Sequence, residues 1–237
     1  MPVNAYGQEI GVPLEGWKSP LPPPRQAVAG RFCRLEPLDA VRHSAELFEA
    51  YSAAPDARDW TYLPVDRPRD AESFAGLVAA QAHSRDPLHF AIVEATSGRA
   101  VGTAALMRID PGNGVIEVGH INFAPSLKRT PAATEAIFLL MCRVFDDLGY
   151  RRLEWKCDSL NAPSRRAAER YGFEYEGLFR QAVVTKGRNR DTAWYALIDR
   201  DWPRVRAAFL AWLAPGNFES DGRQRRPLAC AVAEPGV

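Results

Sequence analysis

The chain of 237 residues predicts an α/β (α+β) fold, a mixed and largely antiparallel sheet of about seven strands flanked by helices. Three features predict it. Short apolar runs separated by turn residues fill positions 90 to 123, the hydrophobic spacing becomes helical from Pro131, and strand, helix, strand, helix order follows to Gly172. The length suits one domain with trimmings, and 46% hydrophobic with 25% charged residues is the balance of a globular chain.

Residues 1–30 carry six of the nineteen prolines, with Pro22 to Pro24 consecutive, which predicts an extended arm. A strand around Arg31 to Leu35 then leads to a helix capped by Asp39, and a second helix is expected from Asp70 to Ala82. Between the helices, Tyr51 to Pro68 reads as an aromatic loop that holds Trp60 and Tyr62. Phe90 to Val93 and Ala100 to Ile109 read as strands. Pro111-Gly112-Asn113-Gly114 supplies the fixed and positive φ values of a tight turn, so Val115 to Phe123 returns antiparallel.

From Pro131 a long helix presents Ile137, Leu140, Met141 and Val144 to the sheet and stops at Gly149. Leu153, Trp155 and Cys157 alternate as in a strand, and a short helix runs from the cap Asn161 to Gly172. Two strands, Gly177 to Thr185 and Thr192 to Ile198, precede a last helix from Asp201 to Leu213. The organisation expected is an arm over 1–30, a domain over 31–213, and a flexible tail over 214–237 that is rich in Gly, Pro and charge.

Thirty Lys plus Arg against twenty-nine Asp plus Glu give too weak an overall field for a nonspecific nucleic-acid binder. Cys33, Cys142, Cys157 and Cys230 lack metal-type spacing, so no metal is expected. Without a leader pattern or a long apolar run, the expectation is a cytoplasmic protein with reduced thiols and no membrane partner.

The strand Val115 to Phe123 runs through Lys128-Arg129-Thr130 to the start of the long helix. Free amides and the positive end of the helix dipole favour a phosphate or diphosphate there, and the same residues also read as a solvated basic turn. The loop, the Glu117-Val118-Gly119-His120 strand, the Ala133-Thr134-Glu135-Ala136 helix start, Asn161-Ala162-Pro163-Ser164 and Gly172-Phe173 together resemble the GNAT superfamily. The likeness is greatest to its ribosomal-protein N-acetyltransferase branch, and it covers about Arg31 to Ile198.

That resemblance implies acetyl-CoA as co-substrate and transfer of its acetyl group to a primary amine of a small molecule or protein N-terminus. It places the coenzyme on Ile121, Asn122, Phe123, Lys128, Arg129, Thr130, Ala132, Ala133, Asn161 and Ser164. The superfamily's loop carries a glycine where Pro131 stands, so one amide donor is missing, which Lys128 and Arg129 are expected to offset by charge. Glu117 is the first candidate for the base, with a structural carboxylate as the competing reading. His120, whose ordinary pKa is roughly 6.5, is the second.

Ala168 occupies the position of the usual tyrosine acid, and Ser164 is the candidate donor in its place, although helix capping alone would also account for Asn161 and Ser164. Trp60 and Tyr62 are candidate walls of the acceptor site, or else packing residues. A coenzyme-binding regulatory module without turnover is the alternative function. The chain is expected to be a monomer or homodimer.

Overall fold

The computed structural model describes residues 1–219 and 222–230. The elements run in the order β1 (Val28–Ala29), β2 (Cys33–Pro37), α1 (Ala40–Ser52), α2 (Ala71–His83), β3 (Leu88–Glu94), β4 (Ala100–Asp110), β5 (Val115–Phe123) and α3 (Pro131–Cys142). They continue with β6 (Arg152–Asp158), α4 (Ala162–Arg170), β7 (Glu174–Thr185), β8 (Arg188–Ile198) and α5 (Trp202–Leu213). The sheet has eight strands in the order β1-β2-β3-β4-β5-β6-β8-β7. The strand beyond the expected seven is the two-residue β1, too short to carry an alternation. Only β5 and β6 pair in parallel among the named strands; each other neighbouring pair is antiparallel.

Alternation along the strands divides the core between the two faces of the sheet. Phe90, Ile92, Leu106 and Ile116 pack with Ile137, Leu140 and Met141 of α3. Ala91 and Val93, one step out of phase, pack with Leu47 and Tyr51 of α1 and with Phe74 and Val78 of α2. Local capping chemistry starts the helices where the sequence predicts. The Asp39 carboxylate accepts the Arg42 amide, Asp70 forms a reciprocal capping box with Ser73, and Asn161 accepts the Ser164 amide. The long helix is α-helical only through Cys142; Arg143–Asp147 widen into a π turn before Gly149 at φ +71°. No helix among the described residues is long and apolar enough to cross a membrane.

Both trimmings lie on the domain. In the arm, Pro20 and Pro23 are buried, and Leu21 accepts a hydrogen bond from the Tyr150 hydroxyl. The described part of 214–237 corrects the expectation of a loose tail. Phe218 packs edge-on against Phe32 and Trp212. Buried Asn217 exchanges hydrogen bonds with the backbone of Arg226, and Leu228 and Cys230 join the core. A few apolar residues spaced among Gly, Pro and Arg suffice to fasten the segment, and an averaged composition hides them. Residues 231–237 lie outside the described residues.

One buried carboxylate ties α3 to the start of β2. Glu135 accepts hydrogen bonds from the backbone amides of Arg31, Phe32 and Cys33 at 2.9, 2.6 and 2.8 Å. Gly30 lies so close that any Cβ there would collide with this carboxylate. Glu135→Ala would orphan the three donors and is expected to lower stability by about 3 kcal/mol. In urea unfolding this would be a lower midpoint at unchanged slope.

Candidate active site

The site begins where two strands part. β5 and β6 pair only at Val115 with Arg152, Ile116 with Leu153 and Glu117 with Glu154. Beyond these residues the strands diverge, and a cleft of about 790 Å³ lies between them. On its other edge β5 pairs Gly119 with Ala105 and then Asn122 with Thr103, so it carries one more residue than β4 across this interval. This is a β-bulge, and His120 takes its strained backbone at φ +48°.

Glu117, His120, Ile121, Asn161, Ser164 and Tyr62 all line this one cleft. Trp60 and Asn122 line a second pocket of about 300 Å³ beneath α1 and α2, which shares His120 with the cleft. Trp60 is buried and edge-on to Tyr51. Tyr62 closes the cleft differently, its hydroxyl donating to the Leu160 carbonyl at 3.2 Å. The hairpin between β7 and β8 meets the same loop, because Lys186 Nζ donates to the Trp60 carbonyl at 2.7 Å and pairs with Asp66 at 2.8 Å.

Glu117 is buried, and its Oε2 lies 3.1 Å from both Lys156 Nζ and Arg108 Nε. Lys156 in turn lies 2.6 Å from Glu154 and 3.8 Å above the Trp194 ring. Burial pushes the Glu117 carboxyl above the ordinary range, against the pull of Lys156 and Arg108. Burial also opposes charge on Glu154, but Lys156 and Arg152 outweigh it and hold that carboxyl below the usual range. Burial lowers the His120 imidazole. His89, edge-on to His120 at 5.0 Å, is lowered to about 4 by burial first and by His120 and Arg25 after it. Both rings are therefore neutral near pH 7.

Ser164 accepts a hydrogen bond from the Trp155 indole at 3.0 Å. An indole only donates, so the serine hydroxyl keeps its own proton for another partner. Ala168 is fully buried, and Tyr171 packs against Trp155 and Phe209; neither lines the cleft.

At the opening of α3 the Thr130 hydroxyl caps the Ala133 amide at 3.2 Å, and Pro131 occupies the first turn. Ala124 O accepts the amides of Leu127 and Lys128, and Leu127 O accepts that of Thr130. The donors left by this turn and cap are the amides of Ser126, Arg129, at φ +63°, and Ala132. The Ala133 amide is therefore taken by the cap. Lys128 is also less free than expected, since its Nζ pairs with Asp59 at 2.5 Å.

Lys156, Arg108 and His89 were not among the residues predicted for the site. Lys156 carried one faint signal, as a charge on the off-beat of the Leu153, Trp155, Cys157 alternation.

The family described as acetyltransferase (GNAT) domain matches residues 33–174. The chain belongs to the GNAT acetyltransferase family. The crystal structure of a GCN5-related N-acetyltransferase from Brucella melitensis is similar at 50% identity and a TM-score of 0.89, covering 91% of this chain and 97% of that one. The uncharacterized N-acetyltransferase p20 of Bacillus licheniformis is 29% identical over 48% of this chain, and the match spans 63% of that relative's length. An acetyl transferase of Salmonella typhimurium that modifies the N-terminal serine of ribosomal protein L7/L12 shares the fold at 20% identity and a TM-score of 0.59, over 73% of this chain and 99% of that one. At that identity the likeness is one of fold alone. An acyltransferase domain with a mixed, mostly antiparallel sheet is what the family and the topology give.

Removing Lys156 would leave Glu117 and Glu154 buried without their shared cation. Lys156→Met is expected to cost about 3 kcal/mol near neutral pH. A carboxyl raised above its unfolded value binds its proton more tightly in the native state, so stability falls as pH rises above the ordinary carboxylate range. Urea melts between pH 5 and pH 8 are expected to show a steeper fall in the variant than in the parent protein.

Proposed function

We propose that this chain transfers the acetyl group of acetyl-CoA to a primary amine of a small molecule or protein N-terminus, by direct attack of the amine on the thioester. The observation that carries the reading is the cleft between β5 and β6, which gathers His120, Glu117 and Ser164 beside a bulged strand. The four cysteines are free thiols, which supports a cytoplasmic setting. The protein acts as a monomer or homodimer.

The residues present fit the coenzyme. The parting of the strands suits a narrow pantetheine arm, and the Arg129 and Ala132 amides with the Arg129 side chain at the start of α3 suit a diphosphate. Lys128 adds charge that it shares with Asp59, while Thr130 and Ala133 shape the turn through their cap. Asn161 spends its oxygen on the Ser164 amide and keeps its NH₂ for the arm. Backbone groups of Ile121 to Phe123, on the stretch of β5 that has no β6 partner, orient the thioester carbonyl and favour the charge that grows on its oxygen. The Asn122 carbonyl itself is held by the Tyr51 hydroxyl at 3.0 Å.

An amine must lose a proton to react, and His120 is the better placed acceptor. Burial keeps its imidazole neutral, whereas the two cations on Glu117 Oε2 hold that carboxylate in a structural role. The order of the two candidates is thus reversed from the sequence expectation. Ser164, whose hydroxyl also bonds the Cys157 thiol, is the donor to the departing sulfur.

The second reading, a coenzyme-binding module without turnover, draws on Pro131 and on the pairing of Lys128 with Asp59. Incubation with acetyl-CoA and an amine panel, read as released thiol, separates the two; binding by calorimetry without turnover would favour the module. His120→Gln is expected to lower kcat about 100-fold. Ser164→Ala is expected to lower it less than about tenfold, since a thiolate leaves readily without an acid. The log of kcat/KM is expected to rise with pH and level off at a value below the ordinary histidine pKa of about 6.5. Unchanged turnover in both variants would overturn the assigned roles.

A further inference from the structure

The second pocket differs from the cleft in its chemistry. The cleft is lined by Asp59, Arg108, Glu117, Lys156 and further charges. Among the described residues lining the pocket, none is Asp, Glu, Lys or Arg. Its walls are Trp60, Leu63, Phe74, Leu77 and Val78. Several of its polar groups already have partners inside the protein. The Tyr51 hydroxyl bonds both Thr103 Oγ1 at 3.2 Å and the Asn122 carbonyl at 3.0 Å, and His89 meets His120 edge-on. Bringing a charge here would strip its water without offering a counterion. An apolar cavity of roughly 150 Å³ holds a benzene, so about 300 Å³ accommodates a ring with its linker.

We infer that this pocket receives an uncharged apolar group carried by the acceptor, so that the preferred substrate is a primary amine bearing an aromatic ring or a branched alkyl chain. The inference rests on the acetyl transfer proposed above. Position favours the acceptor over a long acyl chain as the occupant. The pocket lies on the α1 and α2 face, opposite α3, whose start is the proposed diphosphate site. An amine adds to the thioester carbon from above or below the carbonyl plane, so it must come from a part of the cleft that the coenzyme does not fill. His120, which lines both cavities, then stands between the apolar group and the reacting nitrogen, where it can take the proton.

The test compares ethylamine with phenethylamine, and glycinamide with leucinamide, at saturating acetyl-CoA. The apolar member of each pair is expected to show kcat/KM at least about tenfold higher. Leu77 is half-buried at the pocket wall, so Leu77→Trp fills the space at little risk to the core. It is expected to abolish the preference, bringing kcat/KM for phenethylamine and leucinamide down to the level of ethylamine and glycinamide. Calorimetric titration of phenethylamine with coenzyme A present is expected to show binding to the parent protein and at least tenfold weaker binding to the variant. Turnover of every amine without an apolar preference would overturn the pocket assignment and leave acetyl transfer standing. No turnover of any amine, with coenzyme binding intact, would overturn the transfer reading itself. A preference for hexanoyl-CoA over acetyl-CoA that Leu77→Trp removes would assign the pocket to the acyl chain and overturn the acceptor proposal.

Discussion

Everything distinctive about the site depends on two parallel strands that meet for three residue pairs and then separate. Past Glu117 and Glu154 the ladder between β5 and β6 stops, although both strands continue. Unpaired backbone inside a protein is costly unless something occupies the gap. At the fork the side chains are charged. Lys156 stands between Glu117 and Glu154, flattened over Trp194, and Arg108 and Arg152 close the set from either side. Buried charges of this kind contribute little net stability, but they demand partners at fixed distances. An apolar pair at the same place would let the strands slide or zip together. The charged fork sits where the ladder between the two strands ends.

The bulge one turn of the pleat further on serves the same opening. By giving β5 one extra residue against β4 it moves the ladder out of phase and leaves His120 in the left-handed region, where a side chain with a branched β-carbon would be more strained. The imidazole thereby reaches both cavities, one lined with charges and the other without them. Its burial works against protonation. A group kept neutral by its surroundings accepts a proton at neutral pH without first having to lose one, which is what a base for an alkylamine requires.

What was legible in the sequence is what neighbouring residues decide among themselves. The Pro111 to Gly114 turn, the caps at Asp39, Asp70 and Asn161, and the stop at Gly149 all follow from φ preferences and side-chain reach within a few positions. The helical stripe of α3 was readable for the same reason. The bulge was not, because one inserted residue in an alternating strand leaves the hydrophobic pattern almost unchanged. Lys156 and Arg108 were missed because their meeting at Glu117 depends on the register of β6 and β4 against β5, and β6 lies a helix and a π turn further along the chain. Glu117, His120, Asn161 and Ser164, picked out by their resemblance to the GNAT pattern, line one cleft, but that pattern carried no information about which partners hold each of them.

Lys128 shows how a residue expected to serve one side of the reaction ties it to the other. The opening of α3 has a proline in place of one donor and spends the Ala133 amide on the Thr130 cap, so few amides remain for an anion. Lys128 should matter more there, yet it is drawn to Asp59, on the loop that also carries Trp60 and Tyr62. That loop is held in turn by Tyr62 to Leu160 and by Lys186 to the Trp60 carbonyl. The turn before α3, proposed to hold the diphosphate, and the loop that lines the cleft are therefore linked through one ion pair. In the proposed reaction an anion at the start of α3 would compete with Asp59 for the same ammonium group, so the charge that receives the coenzyme also bears on the position of the acceptor wall.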